Sequence, residues 1–152
     1  MIEGMDHLPT TEAAVTALRA LADEYAREIE VDHDIGADRT SRRSAAGVGV
    51  TADPDGSLPH EAHVEFGGLP RVSVRLYADD DALITVEGVE CPDVDRDDVP
   101  AFVRSLFDDR AFVKSRRFPP ARFLIVPLPQ DRTHREYVPL VGLGPWLSSR
   151  VR

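Results

Sequence analysis

The chain has 152 residues, 42% of them hydrophobic and 30% charged, with 27 Asp+Glu against 18 Lys+Arg and a formal charge of −9. This length suits one domain that buries roughly 68–70% of its unfolded surface, and the composition is too apolar for an intrinsically disordered chain. No run approaches the roughly 18 apolar residues of a membrane span, the opening MIEGMDHLPTTEAAV lacks a basic or apolar leader region, and the lone Cys91 offers no disulfide or cysteine metal motif. A cytoplasmic location, no cofactor, no membrane association and a buried, inert Cys91 are the expectations.

Val15, Leu18, Ala22, Tyr25 and Ile29 recur at alternating steps of three and four, which predicts an amphipathic helix over residues 11–30 with Thr10 or Thr11 as N-cap. Residues 32–45 read as a polar loop. A first strand is expected over residues 47–52, closed by the turn Asp53-Pro54-Asp55-Gly56. Period-two alternation then marks one strand with Ala62, Val64 and Phe66 inward and Glu61, His63 and Glu65 outward. A second has Val72, Val74 and Leu76 inward and Arg71, Ser73 and Arg75 outward. Even-numbered residues point inward in both, so His63 and Glu65 should lie near Arg71 and Arg75 across the ladder. Asp79-Asp80-Asp81 reads as a hairpin tip setting Leu76 opposite Ile84, which completes a four-strand antiparallel meander with one dry face.

Residues 95–110 read as a second helix, with Val99, Phe102, Val103, Leu106 and Phe107 as its apolar stripe and Asp95, Asp97 and Asp98 at its positive end. Two strands over 111–118 and 121–128 meet at Pro119-Pro120; residues 129–135 form a loop, and the tail a short strand and a helical turn opening at Pro145, with Trp146 as a plug. The expected fold is a single α+β domain over residues 1–152, with 1–9 flexible. Its order is N-terminal helix, four-strand meander, second helix, two or three further strands and a short C-terminal helix, a single layer of helices lying on one sheet.

Candidate chemistry is sparse. Asp93, Asp95 and Asp97 match alternate positions of a calcium loop, but Asp98 stands where Gly is needed and Arg104 where a bidentate Glu is needed. His60 and His63 are three apart on a strand, hence on opposite faces, and a zinc site from His33, His63 and His134 is not expected. Gly67-Gly68 and Gly142-Leu143-Gly144 lack the length and lysine of a phosphate loop, and there is no GxSxG elbow. Glu61, Glu65 and Glu87, facing Arg71 and Arg75, read as a solvated salt ladder, so no catalytic or metal-binding residue is assigned.

The charge is partitioned. Residues 78–109 hold 11 acids against 2 bases, whereas residues 110–152 hold 2 acids against 9 bases, with Arg110, Lys114, Arg116, Arg117 and Arg122 interleaved with Phe112, Phe118 and Phe123. The acidic segment points to a non-catalytic protein-binding module, an intracellular inhibitor of immunity or antitoxin type that docks a basic protein partner, such as a toxin. Its expected contact residues are Asp79, Asp80, Asp81, Glu90, Asp93, Asp95, Asp97 and Asp98. Two other readings compete: a small hydrolase or small-molecule-binding domain using the Glu/His/Arg face of the meander, and an anion or nucleic-acid binder using Arg116, Arg117 and Arg122. Global acidity argues against nucleic acid, and the Phe side chains could equally be core.

Overall fold

In a computed structural model describing residues 7–33, 61–139 and 143–152, helix α1 spans Thr11–Glu24. Thr10 is its N-cap, its Oγ1 accepting the Ala13 N–H at 3.0 Å, one of the donors that a first turn leaves without a helical partner. The helix stops at Tyr25, earlier than its apolar stripe predicts. Ala26 adopts a left-handed φ of 52° while its N–H reaches Asp23 O and the Arg27 N–H reaches Ala22 O, a Schellman closure built on alanine instead of glycine.

The turn releases the chain into strand β1, Ile29–His33, which replaces the last residues of the predicted helix and the first of the predicted loop. It pairs antiparallel with β2 (Ala62–Phe66), followed by β3 (Val72–Leu76), β4 (Asp81–Val86) and β5 (Val89–Asp95), in the spatial order β1-β2-β3-β4-β5. The strand expected over residues 47–52 and its turn lie outside the described residues. Of the alternation read from sequence, β2 and β3 hold as predicted: Val64 faces Val74 and His63 faces Arg75, while Glu65 faces Ser73. The next register differs, because Val74 lies opposite Ile84 and Leu76 opposite Ala82. The two-residue shift leaves both side chains on the dry face. Glu87 and Gly88, with φ of 48° and 84°, form the two-residue turn from β4 into β5, whose two positive φ values match the twist of a hairpin.

A 3₁₀ turn, Arg96–Asp98, leads into α2, Val99–Phe107, so the helix is shorter at both ends than residues 95–110. Strands β6 (Phe112–Arg116), β7 (Ala121–Leu128) and β8 (Arg132–Val138) form a separate three-stranded sheet, and α3 (Pro145–Ser149) closes the chain with Trp146 buried. The fold class and element order are those expected, with five strands in the meander and the later strands in a sheet of their own. Leu18 of α1, Val74 and Ile84 of the first sheet, Phe102 of α2, Leu124 of the second sheet and Leu147 of α3 belong to one hydrophobic cluster. Leu8, within the segment expected to be flexible, is buried in it, and its N–H donates to Asp97 Oδ1 at 2.7 Å.

Candidate functional site

The helices cover the face of the five-strand sheet carrying Val64, Val74 and Ile84, so alternate residues of each strand meet solvent. On that outer face an open cleft of about 570 Å³ is lined by Glu61, Tyr77, Ala78, Asp79, Asp81, Leu83, Glu90, Pro92 and Asp93. A β-bulge shapes it. Between the pairs Ala82↔Val94 and Ile84↔Cys91, β5 carries Pro92 and Asp93 against Leu83 alone, and Asp93 takes a left-handed φ of 57°. The extra residue keeps Cys91 and Val94 inward while bringing Asp93 to the cleft. Pro92 also leaves this outermost strand without one N–H, which discourages another chain from pairing there.

The acidic residues singled out from sequence do not all reach the cleft. Asp79, Asp81, Glu90 and Asp93 line the cleft, joined by Glu61, which accepts from Arg75 at 3.3 Å and so combines a ladder contact with a place in the cleft. Asp80 is at the hairpin tip, 3.4 Å from Arg96, and Asp95 is exposed at the end of β5. Asp97 and Asp98 instead hold the fold. Burial alone would raise the Asp97 carboxyl, but the Leu8 N–H, His7 and Arg96 together hold it below the ordinary aspartate range. Asp98 is buried and takes a bidentate pair from Arg132 at 2.8 and 3.0 Å, which raises the Arg132 guanidinium. Arg96, itself buried, donates to Leu8 O, Ala78 O and Asp79 O and so fastens the rim of the cleft to the start of the chain.

Of the groups weighed for a hydrolase on the polar face, Glu65 lines a second cleft with Glu28, Glu30 and Phe66, while His63 stands opposite Arg75 on the neighbouring strand. On the three-stranded sheet, the Phe residues suspected of being core lie outside it. Phe118 is 91% exposed at the β6–β7 tip beside Arg117, while Arg152 stands over Phe112 at 4.6 Å and Arg135 over Phe123 at 3.8 Å. Lys114 and Arg116 alternate with Phe112 on that outer side; Arg122 falls on the other side of β7, in step with Leu124 and Val126.

His33, on the helix-facing side of β1, lies 3.4 Å from Glu12, and His63 projects from the opposite face, so the three histidines weighed from sequence do not converge. A different group does. Cys91 on β5 and His134 and Glu136 on β8 bring one ligand atom each to within 4.8 Å of one another. Burial, then the Glu136 carboxylate, pushes the Cys91 thiol up to about 12, so it stays protonated and is no nucleophile at neutral pH. Comparison with protein families, curated proteins and solved structures finds no match. Among the described residues no helix is long and apolar enough to cross a membrane.

Proposed function

We propose that the chain is a non-catalytic protein-binding module, an intracellular inhibitor of immunity or antitoxin type, whose acidic cleft receives a cationic segment of a basic partner protein. The observation supporting this is the cleft itself: Glu61, Asp79, Asp81, Glu90 and Asp93 surround Tyr77, Leu83 and Pro92. A lysine or arginine lays its methylene stem on such an apolar floor, points its charge at the carboxylates and gains a cation–π contact with a tyrosine ring. The test is affinity capture with mass spectrometry, comparing the native chain with Asp79→Lys/Asp81→Lys/Glu90→Lys/Asp93→Lys and with a control reversed at Asp108 and Asp109. Loss of a basic partner in the first variant alone supports the reading; undiminished capture overturns it.

A second reading rests on the exposed Phe118 and the Arg-capped Phe112 and Phe123, which suit an anionic ligand with stackable rings. Binding of a single-stranded oligonucleotide that weakens steeply with salt and is lost in Arg116→Glu/Arg117→Glu would favour it; no binding at low salt dismisses it.

A further inference from the structure

Strand β8 is an outermost strand of its sheet, and its core-facing row reads Arg132, His134, Glu136, Val138, in step with the buried Leu124 and Val126 of β7. Val138 packs in the core and Arg132 is answered by Asp98. His134 and Glu136 remain, a polar pair 3.2 Å apart turned toward the seam where β8 touches β5. Facing them is Cys91, fully buried, whose only hydrogen bond among the described residues is a long contact of 4.0 Å to Val89 O. Polar groups on the covered side of a strand are costly unless something answers them.

We propose that Cys91 Sγ, an imidazole nitrogen of His134 and a Glu136 carboxylate oxygen form a binding site for a borderline transition-metal cation, zinc foremost, joining the two sheets. The mixed sulfur, nitrogen and oxygen set selects this class of ion, since calcium and magnesium take all-oxygen surroundings. Zinc bond lengths of about 2.0–2.3 Å place tetrahedral donors roughly 3.3–3.7 Å apart. The His134–Glu136 pair, 3.2 Å apart, stands just inside that spacing. Cys91 closes the rest through side-chain movements of about 1 Å, for which Glu136, 25% exposed, has room. Phe102, edge-on to the His134 ring at 5.3 Å, limits how far the imidazole turns. A three-ligand site leaves the fourth position to water, and the partly exposed His134 and Glu136 form its mouth. On binding, the Cys91 S–H bond breaks, its proton passes to solvent and the sulfur pair forms the metal–thiolate bond.

The experiment uses the full chain freed of metal with a chelator, titrated with Zn²⁺ by calorimetry and with Co²⁺ as a spectroscopic probe. The expected results are saturable Zn²⁺ binding, proton release, a rise in thermal midpoint and a cobalt–thiolate charge-transfer band that Cys91→Ser abolishes. The partly exposed His134→Gln and Glu136→Gln variants leave the core packing in place, and each should weaken Zn²⁺ at least about tenfold, the lower bound for losing even an outer-shell partner. No binding, no thiolate band in the native chain, or affinity unchanged in both Gln variants overturns the site.

Discussion

Arg96 is almost wholly buried, yet its guanidinium charge is answered by three backbone carbonyls and by the solvent-facing Asp80. Arg96→Met leaves those carbonyls short of donors and should cost about 1–3 kcal/mol of stability in urea denaturation. Because Ala78 and Asp79 are tethered through it, partner capture should weaken as well. Asp97 is a charge test of the same region. Its depressed pKa means that the stabilisation is complete above the unfolded value of about 3.9 and is lost as pH falls through the lower folded value. Asp97→Asn keeps an acceptor for the Leu8 N–H but removes the charge. The stability gap between variant and native chain should close as pH falls below about 3.9, measured by chemical denaturation at each pH. None of these roles was legible in sequence, since the partners of Asp97 and Asp98 come from Leu8 and Arg132, joined only by folding.

Among the elements, β2, β3 and β4 were legible because their alternation is unbroken, whereas β1 and β5 were not, for definable reasons. Ile29 continues the helical stripe from Tyr25, and the stop at Ala26 carries no glycine to announce it. In β5 the bulge at Pro92 and Asp93 breaks the period, and the acids after it imitate the start of a helix. The same bulge carries backbone strain that aspartate tolerates better than most residues. Asp93→Gly should raise stability by up to about 1 kcal/mol while reducing partner capture, the signature of a residue kept for its side chain. Equal loss of stability and capture would assign it to the fold alone.

Across the whole molecule, an acidic cleft on one sheet and a basic, aromatic face on the other arise from segments adjacent in sequence. The distribution of acids and bases along the chain is enough to locate both surfaces. It does not separate the carboxylates that face solvent from those bound to Arg132 or Leu8, nor bring Cys91 to His134, because those depend on how the two sheets meet. If the cleft steers a basic partner, its association rate should fall at least tenfold between low and physiological ionic strength, with dissociation much less affected; a flat salt profile in stopped-flow mixing would count against steering.

The order of strands in the larger sheet also bears on how the chain folds. β2 to β5 are joined by short turns, so each pairing closes a small loop, whereas β1 meets β2 only after residues 34–61 have been spanned. Bringing together strands so far apart in sequence costs more entropy before any contact repays it. β1 is therefore expected to dock after the rate-limiting step: Val31→Ala should speed unfolding while leaving the refolding rate nearly unchanged, with Val74→Ala slowing refolding, as stopped-flow folding measurements would check. On this expectation the strand that begins the sheet in sequence is the last to enter it in time.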